Sequence, residues 1–213
     1  MNANLTEIIF LLDRSGSMGG LEGDTIGGFN GFVRQQSGIG VTLITTVLFD
    51  DQYELLHNGA NASDVTLTGK EYFVRGMTAL LDAVGKAIID VGKRLESTDE
   101  SERPGKVIFV ITTDGQENSS REFTYERIKA MIEHQREKYN WEFIFMGANI
   151  DVASESSRLG IDPGMSVGYS ATSVGTNAMF VYIGAMTTGL RSPGGVVAKA
   201  AGLPLGGKKR KKI

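Results

Sequence analysis

The stretch "TEIIFLLDRSGSMGG", Thr6 to Gly20, carries an apolar run that stops at Asp13 and is followed at once by Ser15 and Ser17. The run reads as a strand over roughly Glu7 to Leu12 and lacks alternation of apolar and polar residues. A strand of that kind buries both faces, as in a parallel sheet covered by helices on either side. "KVIFVITTDG", Lys106 to Gly115, repeats the form and also ends on an aspartate, Asp114. Two parallel strands that end this way bring both carboxylates to the same sheet edge, where open α/β sheets form their ligand sites.

Strand and helix patterns alternate around these two runs. A β-branched strand covers Val41 to Phe49, a turn follows at Asp50-Asp51, and Tyr53 to His57 reads as its antiparallel partner. Helical spacing predicts helices over Asp24 to Gln36, with Asp24 as N-cap, over Ala79 to Leu95, and over Thr124 to Tyr139. Trp141 to Ala148 is a further buried strand, Asp151 to Leu159 a short helix, "SVGYSA" from Ser166 a short strand, and a last helix is expected from Thr176. The expected class is α/β: a three-layer (α/β/α), doubly wound, mostly parallel sheet with one antiparallel edge strand. Residues 1–191 would form one domain and 192–213 a flexible Gly/Pro-containing tail ending in a basic run.

Bulk properties exclude several function classes. The 213 residues contain no cysteine, so disulfides, thiolate metal sites and cysteine nucleophiles are excluded. The net charge of −3 is uneven. "KKRKK", Lys208 to Lys212, holds five of the 22 basic residues, so 17 face 25 acidic residues in the body. An acidic body argues against nucleic acid as the main partner. The basic tail is a solubilising end, or a contact for nucleic acid or an anionic surface. The N-terminus lacks a basic, signal-like segment, and Ala178 to Leu190 is too short to span a bilayer. With no cysteine, these features set the expectation of a cytoplasmic protein without a membrane span.

The two aspartates need explaining. Converging carboxylates repel unless a positive charge lies between them, and Arg14, Arg75 or a metal ion would supply it. Ser15 and Ser17 stand two and four residues past Asp13, a spacing that points alternate side chains one way in extended backbone. Asp-x-Ser-x-Ser alone also suits an ordinary turn. Thr78, in "RGMTALLDA", follows an irregular loop and reads either as a helix N-cap or as a further oxygen donor. Oxygen donors without Cys or nearby His suit Mg²⁺ or Mn²⁺ rather than zinc.

Asp13-Arg-Ser15-Gly-Ser17, Thr78 in Gly-Met-Thr-Ala-Leu and Asp114 in Thr-Thr-Asp-Gly together resemble the metal-ion-dependent adhesion site (MIDAS) of a von Willebrand factor A (vWA) domain. The resemblance covers about residues 5 to 191 and extends to "VLFDDQYE", "VITTDGQENSSREFT" and "KYNWEFIFMGANID", which are similar to a bacterial and phage subgroup. It implies a vWA/Rossmann-like fold and a metal set of Asp13, Ser15, Ser17, Thr78 and Asp114. In that set Ser15 and Ser17 bind directly, and the aspartates act partly through water. The implied ion is Mg²⁺, with Mn²⁺ or Ca²⁺ as substitutes. The implied function is non-enzymatic: another protein presents an Asp or Glu to the ion, and this chain serves as an adaptor or assembly component.

Arg75, Gln116, Glu117 and Asn118 are candidates for the partner-binding rim, against the alternatives of a local ion pair for Arg75 and a solvated loop for the others. Asp50 and Asp51 are read as hairpin turn, and His57 and His134 as surface residues. No histidine is placed for a Ser-His-Asp hydrolase. A Mg²⁺-dependent phosphatase or phosphotransferase with Asp13 as nucleophile is the enzymatic rival. Related chemistry places a second carboxylate two residues on, where this chain has Ser15. Metal-mediated self-assembly is the structural rival.

Overall fold

A computed structural model describes residues 1–192, so the expected tail falls outside the described residues except for Ser192. The strands are β1 (Asn2–Asp13), β2 (Thr42–Phe49), β3 (Tyr53–Asn61), β4 (Pro104–Thr113), β5 (Glu142–Gly147) and β6 (Ser166–Gly168). The helices are α1 (Glu22–Ser37), α2 (Leu80–Glu96), α3 (Tyr125–Tyr139), α4 (Val152–Leu159) and α5 (Ser173–Arg191). The strands form one sheet in the order β3-β2-β1-β4-β5-β6. Among the described strands, only β3 runs antiparallel to its neighbour.

The unbroken apolar run of β1 is explained by its two cores. Ile8, Phe10 and Leu12 pack with Phe29 and Phe32 of α1 and Phe180 and Ile183 of α5. Ile9 and Leu11 face the other way, onto Leu80, Val84 and Ile88 of α2 and Ile128 and Ile132 of α3. All five strand residues are 0–1% exposed, so each contributes the burial of a whole side chain, about 1.5–3 kcal/mol. Phe10 meets Phe29 and Phe32 edge-on, at centroid distances of 5.5 and 5.3 Å.

From β1 the chain crosses through α1 to β2 on one side; α2 later leads to β4 on the other. The sheet therefore has its switch point at the carboxyl ends of β1 and β4, where connections diverge and leave a crevice. Asp13 is the last residue of β1, and Asp114 directly follows β4. In register, Leu12 lies beside Thr112, so Asp13 stands opposite Thr113 and Asp114 follows one residue further along the same edge.

Several boundaries differ from expectation. Asp24 is not the N-cap of α1. The helix starts two residues earlier, behind a 3₁₀ turn at Gly16–Met18 that buries Met18, and Asp24 lies in the first helical turn. The last helix starts at Ser173 rather than Thr176, because the Thr172 hydroxyl accepts the Gly175 N–H at 3.1 Å and caps it. Thr78 is not an N-cap either: Ala79 holds that position, with no side-chain cap of its own. His57, expected on the surface, is half-buried in β3, where burial lowers its pKa; His134 is exposed.

Candidate metal centre

Three loops meet above the ends of β1 and β4. Each is held by contacts that leave the expected donor side chains pointing together. In the first loop the Tyr72 hydroxyl donates to the Asp13 carbonyl at 2.6 Å, and the Ser15 N–H donates to Asp13 Oδ1 at 2.7 Å. The second loop is stitched to the first by Arg75 N–H to the Arg14 carbonyl (2.9 Å) and Gly16 N–H to the Gly76 carbonyl (3.2 Å). Gly76 adopts φ +66°, and a Cβ there would fall 2.2 Å from Asp51 Oδ1, so this approach requires glycine. The third loop clamps the second through Asn118, whose Oδ1 accepts the Thr78 N–H at 2.9 Å while its N–H donates to the Thr78 carbonyl at 3.0 Å.

These contacts use the backbone of Thr78. The N-terminal N–H groups of α2 are capped from elsewhere: Glu117 Oε2 accepts from Leu81 at 3.0 Å, and the Ser120 hydroxyl accepts from Asp82 at 3.1 Å. The Thr78 hydroxyl is therefore not consumed as a cap. A Cβ on Gly115 would lie 3.3 Å from Ser17 Oγ and 3.4 Å from Thr78 Oγ1, which puts both hydroxyls beside the same backbone point. Ser15 Oγ and Ser17 Oγ are 3.1 Å apart, and Ser17 Oγ donates to Asp114 Oδ1 at 2.5 Å. Asp13, Ser15, Ser17, Thr78 and Asp114 thus share one small region, and all but Ser17 are at most 3% exposed.

The carboxylates are held in an environment that disfavours their charge. Burial pushes the Asp13 carboxyl up to about 6, despite hydrogen bonds from Thr113 and Ser15 that favour ionisation, and the charge of Asp114 adds to the rise. Asp114 is raised as well, by burial, with the Ser17 hydrogen bond opposing. Neither candidate arginine relieves them. Arg14 turns away to Asp50 (Nε to Oδ2, 3.0 Å) and Glu54 (Nη1 to Oε2, 2.6 Å). Arg75 also pairs with Asp50 (Nε to Oδ2, 2.7 Å). Asp114 Oδ2 is buried with no hydrogen-bond partner among the described residues. An orphaned carboxylate oxygen is costly unless a cation meets it. No group of three or more His, Cys, Asp or Glu side chains suited to a metal occurs among the described residues. The donor set is instead two carboxylates and three hydroxyls, and it fits a hard divalent ion of the Mg²⁺ or Mn²⁺ type.

The rim differs in part from the sequence reading. Glu117 is spent internally, accepting the Ser119 and Ser120 N–H groups at 2.9 and 2.7 Å as well as the Leu81 N–H of α2. Asn118 clamps Thr78, Arg75 is ion-paired, and Gln116 is exposed at the loop tip. Phe73, 44% exposed, and Met77, 52% exposed, are exposed apolar side chains in the loop that leads to Thr78. Two further residues carry the geometry. Asn149, in left-handed backbone after β5, donates to the Asp114 carbonyl at 3.3 Å. Asp50, in the expected turn between β2 and β3, is fully buried.

No family model matches the sequence, and no curated protein matches it. Solved structures do match, at the level of fold. The PilB minor pilin of Streptococcus sanguinis superposes with a TM-score of 0.60 at 16% identity, over 86% of this chain and 60% of the pilin. A von Willebrand factor type A protein from Catenulispora acidiphila gives 0.56 at 14% identity, over 86% of this chain and 42% of that one. The manganese-loaded TRAP protein of Plasmodium vivax gives 0.52 at 16% identity, over 76% of this chain and 65% of TRAP. The chain thus spans less than two thirds of each. These similarities establish a vWA-like fold: the three-layer α/β sheet with its single antiparallel strand. Among the described residues, no helix is long and apolar enough to cross a membrane.

Proposed function

We propose that the protein is a divalent-cation-dependent protein-binding module, acting as an adaptor or assembly component rather than an enzyme. Asp13, Ser15, Ser17, Thr78 and Asp114 would hold Mg²⁺, or Mn²⁺ or Ca²⁺ in its place. The observation that carries this reading is the buried, unpartnered Asp114 Oδ2 beside three converging hydroxyls. Held directly by neutral hydroxyls, with the aspartates acting partly through water, the bound ion would keep positive charge open to an Asp or Glu of a partner protein. The manganese-loaded TRAP neighbour supports a divalent ion on this fold. The chain's own residues orient the donors and keep the aspartates dry, while exposed Phe73 and Met77 offer apolar contact beside the acidic residue.

The phosphatase reading is disfavoured by the state of Asp13. Both carboxylate oxygens are engaged, Oδ1 by Ser15 and Oδ2 by Thr113 at 2.6 Å, and the side chain is 0% exposed. A nucleophile must bring an oxygen directly onto the substrate, whereas a buried carboxylate can serve a metal ion through water. The test is capture of a protein partner in Mg²⁺ and in EDTA, by wild type and by Asp13→Ala. Capture lost in EDTA and in the variant is expected. Capture that survives both refutes the metal-bridged mechanism.

A further inference from the structure

We propose that Asp50 is a positioning residue for the metal centre: with Arg14 and Arg75 it forms a brace that sets Ser15 and Ser17 against Thr78. This rests on the metal reading above and names the residues that regulate its geometry. Asp50 follows β2, outside the donor set, and is 0% exposed. Its Oδ2 receives both guanidinium Nε atoms, Arg14 at 3.0 Å and Arg75 at 2.7 Å. Its Oδ1 receives the Gln52 N–H at 2.7 Å, and its carbonyl receives the Ala79 N–H at 2.8 Å. One residue therefore grips the first loop through Arg14 and the second through Arg75 and Ala79.

The placement of the gripped residues gives the brace its effect. Arg14 sits between Asp13 and Ser15, so holding its side chain fixes the peptide units on either side of it. Ala79 directly follows Thr78. The Phe73 ring lies against both guanidinium groups, 5.7 Å from Arg14 and 5.3 Å from Arg75, and further limits their movement. Arg14 and Arg75 are matched by two carboxylates, those of Asp50 and Glu54. The arginines can thus stand close to a divalent ion without leaving net positive charge there. The buried Arg14–Asp50 pair is costly to break from one side, whereas the partly exposed Arg75–Asp50 pair adds little net stability but holds one geometry. Hydroxyl donors bind a metal weakly one by one, so their mutual spacing decides affinity.

Arg75 provides the discriminating experiment, because its side chain is 39% exposed whereas that of Arg14 is 0% exposed. If Arg75 acted only through its charge, removing a cation near the site would tighten Mn²⁺ binding. If it positions the second loop, removal loosens binding. Mn²⁺ affinity is read from loss of the free-ion signal in electron paramagnetic resonance, on the full chain, with melting in EDTA as the fold control. Arg75→Met should bind Mn²⁺ about 10–100-fold more weakly, with little change in melting. Arg75→Lys, which can still reach Asp50, should recover part of the loss. Asp50→Asn should weaken binding too, and Arg75→Met keeps the test decisive if that variant fails to fold. Binding by Arg75→Met as tight as wild type, or tighter, overturns the brace. Failure of the metal reading itself shows separately, as absence of Mn²⁺ binding by the wild type.

Discussion

Replacing Asp13 by Asn should stabilise the metal-free protein at neutral pH and abolish its response to Mg²⁺. The Asp13 carboxyl is raised from 3.8 to about 6 in the fold, chiefly by burial. Between those values the folded state binds more protons than the unfolded state, so stability is full below about pH 4 and falls as pH rises through about 6. Two units correspond to roughly 3 kcal/mol lost by pH 7. Asn carries no charge. It can accept from the Ser15 N–H and donate to the Thr113 hydroxyl, both already in contact with residue 13. In EDTA at pH 7.5, Asp13→Asn should therefore melt higher, by up to about 6 to 12 °C for a domain of this size, and its melting point should vary less between pH 4 and 7. Adding Mg²⁺ at 100 times its dissociation constant should stabilise wild type by about 2.7 kcal/mol and the variant hardly at all. The assay is thermal and urea unfolding over that pH range, with EDTA and with Mg²⁺. A variant less stable than wild type in EDTA at pH 7.5 would refute the reasoning, because it would mean that the ionised carboxylate is well accommodated without a cation.

Other outcomes follow from contacts at and around the site. Thr78→Val should lose the Mg²⁺-induced rise in melting temperature yet change stability in EDTA by less than about 1 kcal/mol, since Asn118 holds only the Thr78 backbone; a large loss in EDTA would return Thr78 to a capping role. Asp82→Ala removes the acceptor for the N–H groups of Arg121, Glu122 and Phe123, so it should cost at least about 1–3 kcal/mol in urea and speed amide exchange at those positions. Gly28→Ala should cost about 1–3 kcal/mol despite the helix-favouring change, because a Cβ there meets the Phe180 ring at 2.1 Å; an unchanged urea midpoint would show that α5 shifts freely against α1.

The fold was legible because burial on both faces leaves a plain mark. Ile8 to Leu12 and Val107 to Ile111 are continuous apolar runs, and the structure places both at the centre of the sheet. Their terminal aspartates and the D-x-S-x-S loop pointed to one edge, and Thr78 and Asp114 do converge there. The brace was not legible. Asp50-Asp51 between two strands has the composition of a turn, and only the fold shows that Asp50 is buried between arginines 36 and 25 residues away. Glu117 and Asn118 read equally as binding rim or solvated loop, because capping α2 across 36 residues and clamping Thr78 across 40 leave no local pattern. Asp24 misled for the opposite reason. It has the right chemistry for an N-cap, but burial of Met18 and Leu21 starts the helix earlier.

Isothermal titration of Mg²⁺ into the full chain at pH 7.5, on wild type and Asp114→Ala, tests the central claim most directly. Asp114 holds the orphaned oxygen, so its loss removes the feature that calls for a cation. One ion should bind per wild-type chain, and binding should weaken beyond detection in the variant. Equal binding by both proteins, or none by the wild type, would contradict the claim.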